Sequence, residues 1–485
     1  MKSSYLITAL LIGAGSFLAT ACEDDVQIGV VDETNYQIDA DALGYIVDAK
    51  GSRSFPTVEF RSAGDVQFTL HAREASKQSI TLTAVYDQSV LDAYNTENET
   101  EFEAIPESDI ILSDGGTFVL EAGALVSNAL NIHITSDGSR DHTAAYAIPL
   151  RFSVSGGGTL PVADQTKIVW VKDLTGLPDV NAKFTYDSSG TAGDPVRIFS
   201  CMEVNDTNPL NNLCFKLGTT GAPLIDGVIL FSSNINYNKE TGRVYVYHNE
   251  NNTAIFNNRA KYLKPLKDVG MKVYLSILGN HDASGVANLA PETCKDFARE
   301  VKAICDAYDL DGVMLDDEYS DYGAAAGIPG FVTASNAAIA RLYYEMKKLM
   351  PTRDMIVYQF GRTPSGVTLT LEDGTQVQAG EYIDYVLHDY GNFIDVTSNY
   401  PGGFTYEHLG LYSQEYTGRS WCSESNMQRI VNQGSRTHMI FAMDPNRSNY
   451  ARQLQSMRSM ARIFYNEELV VENAPGGGFY QKDWN

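Results

Sequence analysis

The chain has 485 residues, with 61 acidic side chains against 36 basic ones and a formal net charge of −25. A surface this acidic excludes a nucleic-acid partner, whose phosphates demand a basic footprint. The length suits two or three domains, and 28 Tyr against 3 Trp can fill a large core and still line a cleft with polar-tipped rings.

Residues 1–21 read as a targeting segment. Lys2 supplies a short positive region, and the apolar run Tyr5–Leu18 is too short to span a bilayer. Leu18-Ala19-Thr20-Ala21-Cys22 resembles a bacterial lipobox, which implies cleavage before Cys22 and a lipid on that cysteine. Glu23, Asp24 and Asp25 follow, and resemble the surface-export signal of Bacteroidetes lipoproteins. The expectation is an outer-membrane lipoprotein exposed at the cell surface. Setting Cys22 aside leaves five cysteines, Cys201, Cys214, Cys294, Cys305 and Cys422, so at least one is unpaired. The sequence leaves open whether Cys201 and Cys214 are joined. No CxxC pattern occurs, which argues against zinc. Cys294 and Cys305 share one face of an expected helix, about 16 Å apart along its axis, too far for a disulfide. They are expected to be buried free thiols.

Residues 22–172 alternate with a period of two. Val66, Phe68 and Leu70 do so, as do Ile80, Leu82 and Ala84, then Ile132 and Ile134, then Ile148, Leu150, Phe152 and Val154. From Val26 to Lys172 the expectation is an all-β antiparallel sandwich whose last strand holds Ile168–Val171. No catalytic constellation falls in it, so it reads as a spacer, lectin-like or docking module. It resembles the sandwich domains at the front of Bacteroides surface lipoproteins. Residues 173–195, rich in Gly, Asp, Ser and Pro, read as a linker.

Residues 196–485 switch to short apolar strands alternating with helices. Strands are expected at Arg197–Val204, Asp226–Ser232, Lys272–Leu278, Gly312–Asp316, Met355–Phe360, Tyr382–His388, His408–Ser413 and His438–Met443. Helices are expected at Pro291–Tyr308, Ala334–Leu349 and Ser448–Phe464, and long loops at Asn234–Thr253 and Asn392–Gly403. This pattern predicts an α/β fold, a (β/α)8 TIM barrel preceded by the sandwich.

Catalytic groups of such a barrel sit at the C-terminal ends of its strands. Those ends carry Glu203-Val204-Asn205, Asn234-Ile235-Asn236-Tyr237, Asn280-His281-Asp282, Asp316-Asp317-Glu318-Tyr319, Tyr358-Gln359, His388-Asp389-Tyr390 and Met443-Asp444. One polar tip means little; this many in one register exceed what solvation requires. The fourth is the most informative. A buried-type strand, Val313-Met314-Leu315, runs directly into acids. Alternation places Met314, Asp316 and Glu318 on one face and Asp317 on the other. Asp316 and Glu318 are then roughly 7 Å apart along the strand, close enough to touch one sugar. A charged pair on a core-facing side is costly unless it is used.

The stretch resembles the Asp-Gly-x-Asp-x-Asp-x-Glu signature of glycoside hydrolase family 18, matched by Asp311, Gly312, Asp316 and Glu318. Met314 stands where the family has the first of its two inner acids. The extension through Tyr319, Tyr322 and Gly323 is similar to the endo-β-N-acetylglucosaminidases of the H and F types. So are the segments MEVNDTN, LFSSNINYN, HNENN, LSILGNH and VYQFG, in order over residues 197–465.

The resemblance implies hydrolysis of the β-1,4 bond between the two core GlcNAc residues of N-glycans, with high-mannose chains favoured. It implies retention of configuration through an oxazoline formed by the substrate's own acetamido group, the exception to the two-carboxylate rule. In that scheme Glu318 is acid then base, Asp316 is ionised and orients the acetamide, and Tyr390 donates a hydroxyl to its carbonyl. Asn234, Asn236, Asn280, His281, Tyr319, Tyr358, Gln359 and Asp389 line the substrate site, and Tyr237 and Tyr319 stack on sugars. No metal or organic cofactor is implied. Partners are glycoproteins bearing N-glycans, the outer membrane through Cys22, and glycan-import proteins. Two readings stand beside it: a chitinase-like hydrolase, for which 3 Trp leaves few stacking platforms, and a non-catalytic glycan-binding lipoprotein, against which the retained Asp316 and Glu318 argue.

Overall fold

In the computed structural model, residues 42–484 are described apart from 373, 392–402, 407 and 419. The 1–21 segment, Cys22 and nearly all of the Asn392–Gly403 loop lie outside the described residues. No helix among the described residues is long and apolar enough to cross a membrane.

Two sheets face each other in the N-terminal part. One orders the strands Gly44–Asp48, Ala63–Ala72, Leu130–Thr135 and Ile110–Leu112; the other is built around Thr57–Phe60, Thr166–Asp173, Tyr146–Ser155, Ile80–Tyr86 and Thr117–Leu120. The alternating residues form the core between them: Phe68, Leu70, Leu82, Ile132, Ile134, Leu150 and Phe152 are all buried. Two features depart from an all-antiparallel sandwich. Thr166–Asp173 pairs with Thr57–Phe60 in parallel, and a helix occupies Gln88–Asn98, capped by the Asp87 carboxylate on the Ser89 N–H. Its Val90, Leu91 and Tyr94 follow helical spacing on the side that meets Trp170 and the barrel. A period-two pattern for the whole region passes over that switch.

The C-terminal part closes eight parallel strands into a barrel: β1 Arg197–Glu203, β2 Gly227–Asn238, β3 Lys272–Leu278, β4 Gly312–Asp316, β5 Asp354–Gln359, β6 Tyr385–His388, β7 Leu409–Glu415 and β8 Thr437–Phe441, with β8 and β2 both paired to β1. All eight expected strands are present. The expected helices are found at Pro291–Tyr308, Asn336–Leu349 and Tyr450–Tyr465, and a further one lies at Glu424–Asn432. The Asn234–Thr253 loop is instead a β-hairpin. β2 runs on past the barrel rim, turns at Gly242 with φ 71, and pairs antiparallel with Arg243–Tyr247 before a helix at Glu250–Asn257. Val244, Val246 and Ile235 are buried on one face of it, a period-two signal hidden among asparagines.

Alternation sorts the barrel residues into two cores. Val313, Leu315, Val273, Leu275 and Ile277 point out to the helices. Phe199, Tyr274, Met314, Ile356, Leu387 and Met439 fill the interior. The floor is aromatic, with Phe199 at 5.7 Å from Tyr274 and 4.9 Å from Tyr385, centroid to centroid. Gly227 makes room there, since a Cβ would lie 2.6 Å from the Tyr274 ring.

The N-terminal end is closed by a repeated device. The aspartate just before β2, β4 and β6 accepts the N–H of the second residue of the strand before it: Asp226 from Ile198 at 2.8 Å, Asp311 from Val273 at 2.9 Å, Asp384 from Met355 at 2.8 Å. Each is neutralised by lysine, Lys183 at 3.1 Å from Asp226, Lys267 at 3.4 Å from Asp311 and Lys347 at 2.8 Å from Asp384. Lys183 belongs to the 173–195 segment and is buried, so that segment is pinned to the barrel floor and is not a free tether. Lys172, at the end of the sandwich, reaches Asp311 at 3.7 Å. With Tyr94 Oη donating to the Lys348 carbonyl at 2.8 Å and Phe55 5.8 Å from Tyr344, the sandwich is seated on the side of the barrel away from the strand tips.

Asp311 is therefore a strand clamp, although the signature motif includes it. Asp311→Ala is expected to destabilise by about 2 kcal/mol, because it leaves the buried Val273 N–H unmatched and removes the carboxylate that faces Lys172, while Lys267 keeps Asp309 at 2.7 Å. Activity per folded molecule should survive, as read by denaturant unfolding beside an active-site titration. Cys201, Cys214, Cys294, Cys305 and Cys422 are free and buried.

Candidate active site

β4 delivers the acids. Met314 and Asp316 point into the barrel and Asp317 points out, as alternation requires. Asp316 is 1 % exposed and caps an apolar layer in which Met314 lies directly below it. Among the described residues its Oδ1 has no hydrogen-bond partner. Burial, then the charges of Glu318, Asp317 and Asp389, hold its carboxyl well above the usual range. An N–H donor or a developing cation beside it would favour the ionised form. Glu318 is only half-buried, and burial followed by Asp389 and Asp317 raises its affinity for a proton. Asp316 and Glu318 titrate as a coupled pair.

The loop carrying Glu318 is held by backbone. Tyr319 adopts φ 57 and His281 φ 56, so both loops turn sharply. Gly279 N–H donates to the Glu318 carbonyl at 3.1 Å, His281 N–H to the Tyr319 carbonyl at 2.6 Å, and Asp321 N–H to the Asp282 carbonyl at 2.8 Å. A Cβ on Gly279 would lie 2.3 Å from the Glu318 carbonyl oxygen. Gly279→Ala should therefore displace the acid and lower kcat at least tenfold per folded molecule, with some loss of melting temperature as the backbone shifts. An unaltered kcat would mean the loop position does not matter. Asp317 braces the same loop from behind. It accepts from the Tyr322 hydroxyl, from Arg362 N–H at 2.7 Å and from Arg362 Nη1 at 3.4 Å.

The other expected residues sort by geometry. Asn236 Oδ1 accepts from Asn280 Nδ2 at 3.1 Å, and Asn234 Nδ2 donates to the Gly279 carbonyl at 3.1 Å. These amides form a connected wall beside β4. The His281 ring stands edge-on to Tyr319 at 5.4 Å, and Tyr319 is 56 % exposed at the rim. Across the mouth, the Tyr358 hydroxyl donates to Asp389 Oδ1 at 2.5 Å, and the Tyr390 N–H donates to the same oxygen at 2.8 Å. The Tyr390 ring lies 6.2 Å from Tyr358 and stacks on Phe441 at 5.8 Å. So Tyr358, Asp389 and Tyr390 converge with Asp316 and Glu318. Gln359 does not join them. Its amide is spent on its own loop, donating to Thr363 Oγ1 at 3.2 Å and accepting from Ser365 Oγ at 2.9 Å. Tyr237 faces outward against Phe331 at 5.0 Å.

Two further acids stand at strand tips. Burial and Asp206 push Glu203, at the end of β1, up to about 7. Glu415 ends β7 with 4 % exposure, accepts from the Thr417 hydroxyl and bears on Tyr390. Glu415 is missed when β7 is expected to stop at Ser413; the acid after Gln414 is its only signal in the sequence. No cluster of His, Cys, Asp and Glu that could hold a metal occurs among the described residues.

A closed eight-stranded barrel with two acids on its fourth strand tip, amides on one side and tyrosines on the other, defines a glycoside hydrolase. Comparison with known proteins narrows the class. The chain is 49 % identical over 297 residues to endo-β-N-acetylglucosaminidase F1 of Elizabethkingia meningoseptica, covering 61 % of this chain and 85 % of that protein. It is 34 % identical over 216 residues to an endo-β-N-acetylglucosaminidase of a Flavobacterium species, covering 44 % of this chain and 65 % of the relative. The crystal structure of Bacteroides thetaiotamicron EndoBT-3987 with Man5GlcNAc product matches with a TM-score of 0.77 and 29 % identity, covering 91 % of this chain and 98 % of that one. The complex of the same protein with a Man9GlcNAc2Asn substrate matches with a TM-score of 0.71. A family model for an N-terminal domain matches residues 35–158. The chain belongs to the endo-β-N-acetylglucosaminidases, and it is an enzyme.

Proposed function

We propose that this enzyme cleaves between the two core GlcNAc residues of high-mannose N-glycans, leaving one GlcNAc on asparagine, and does so by substrate assistance. The observation that carries this reading is the contrast between its two acids. Glu318 is half-exposed and holds its proton above the ordinary carboxyl range, as an acid that must reach a leaving oxygen requires. Asp316 is buried at the end of the fourth strand with an unmatched Oδ1; it suits an acetamido N–H presented from above.

When the sugar enters, that N–H fills the unmatched Asp316 Oδ1 and favours its ionised form, the proton of Asp316 passing to solvent as the site closes on the sugar. The carboxylate then turns the acetamido oxygen toward the anomeric carbon and balances the positive charge of the forming oxazolinium. Glu318 gives its proton to the departing glycosidic oxygen and later takes one from the water that opens the ring, so configuration is retained. Tyr390 then donates to the acetamido carbonyl, a role its contacts with Asp389 and Phe441 support. High-mannose preference is supported by the glycan complexes of the structural relative. The lipobox-like segment ending at Cys22 supports attachment to the outer membrane, where released glycan would pass to import proteins.

The test is mass analysis of a high-mannose glycoprotein after incubation with the mature protein. A residual mass of one GlcNAc per site is expected. Intact glycans there, alongside cleavage of chito-oligosaccharides, would overturn the assignment.

A further inference from the structure

We propose that Tyr247, with Tyr245 beside it, forms a stacking wall that receives an outer mannosyl ring of the glycan antenna, and so sets a preference for large over trimmed substrates. This rests on the function proposed above. The argument comes from strand register. Tyr247 pairs with Asn234, Asn234 with Leu278, and Leu278 with Asp316. Residues directly paired across neighbouring strands point to the same side of the sheet. Asp316 faces the mouth, so Asn234 and Tyr247 face it too. Three strand spacings of ~4.8 Å put Tyr247 roughly 14 Å from Asp316, the span of a few sugar rings. On the reducing side of the scissile bond only one GlcNAc separates the cut from protein. A sugar this far from Asp316 must therefore come from the antenna.

The rung above repeats the pattern. Asn236 pairs with Tyr245 and accepts from Asn280. One face of the hairpin thus sets two tyrosines opposite two asparagines, flat rings beside amides, which is the chemistry that holds a hexose by its C–H face and its hydroxyls. Tyr247 is 43 % exposed and Tyr245 half-buried. The hairpin is fastened down on its other sides: Ile235, Val244 and Val246 are buried on the opposite face, and at the free edge Val246 N–H donates to Glu300 Oε1 at 2.9 Å, with Arg243 paired to the same Glu300 at 2.5 Å. The wall is presented by a rigid element, which limits the entropy lost on binding.

The experiment compares the mature protein with Tyr247→Ala and Tyr247→Phe on glycopeptides bearing Man9GlcNAc2 or the trimmed Man3GlcNAc2. Tyr247→Ala should raise KM for the large substrate about tenfold more than for the trimmed one, with the same kcat ratio for both. Tyr247→Phe should keep the wild-type discrimination. Equal losses on both substrates, or a failure of Phe to rescue, would overturn the wall. Where alanine unfolds the hairpin, Tyr247→Thr keeps a strand former without a ring. Calorimetry of free Man9GlcNAc2 in a Glu318→Gln background separates the two readings. If the enzyme cleaves no N-glycan, the proposed reaction falls, while weaker glycan binding on loss of the Tyr247 ring still supports the wall and unchanged binding rejects it.

Discussion

Glu318→Gln is expected to lower kcat by about three orders of magnitude or more while KM stays within about threefold, because it removes proton transfer and keeps shape. The amide cannot protonate the leaving oxygen, and it cannot activate water afterwards. The loop around it is held through the main chain, by Gly279 and His281, so the substitution should not move its neighbours. The wild-type enzyme supplies the matching pH test. In the proposed mechanism turnover needs Glu318 protonated, and burial with Asp389 and Asp317 nearby raises its proton affinity. Activity should therefore persist above the ordinary glutamic acid range, near 4.3, and fall as pH rises through the raised value. A variant that keeps a tenth of the wild-type rate would show that another group serves as the acid.

Asp316→Asn should act on rate and stability in opposite directions. The rate should fall by about two to three orders of magnitude, since a neutral amide neither orients the acetamide in the same way nor balances an oxazolinium. The stability effect follows from linkage. The carboxyl is buried among other carboxylates, which hold its proton affinity well above the unfolded value in the folded chain. Its folded form is thus favoured while protonated. That advantage is full below about pH 4, the unfolded value, and is lost as pH rises through the folded one. Asparagine suffers no such loss. The variant should melt a few degrees higher than the wild type at pH 7, and the difference should shrink toward pH 4. Melting curves at the two pH values decide it. A gap that does not change with pH would mean that Asp316 is matched by a partner in solution.

The two variants separate the site's functions. One acid is exposed enough to reach a leaving group and tuned to carry a proton. The other is sunk on Met314 at a cost to the fold. Placing an unmatched carboxyl over an apolar layer destabilises the empty protein, and the substrate's N–H relieves it. In the proposed mechanism the charge that Asp316 balances develops only as the oxazolinium forms, so the interaction strengthens from bound sugar to transition state, which is the condition for catalysis by differential binding.

Much of this is legible in the residues alone. Alternating apolar positions mark all eight barrel strands, because inward and outward packing writes a period of two or a short apolar run into any such strand. Asp316 and Glu318 stand out because charges do not follow a buried strand without a use. What local pattern cannot decide is pairing. Asp311 and Asp316 lie in one motif, yet one clamps Val273 at the barrel floor and the other faces substrate, since five residues of extended strand separate the two ends. Gln359 sits at a strand tip but turns to Thr363 and Ser365. Tyr237 and Tyr247 are both hairpin tyrosines, and only the cross-strand register shows that Tyr237 packs on Phe331 while Tyr247 faces the mouth. The proton affinity of Asp316 depends on Glu318, Asp317 and Asp389 and on burial by distant strands. The sequence determined the strands, the barrel and its two acids, because each is encoded by neighbours a few residues apart. Only the tertiary structure decided which polar tips converge, because register and burial are set by contacts between segments far apart in the chain.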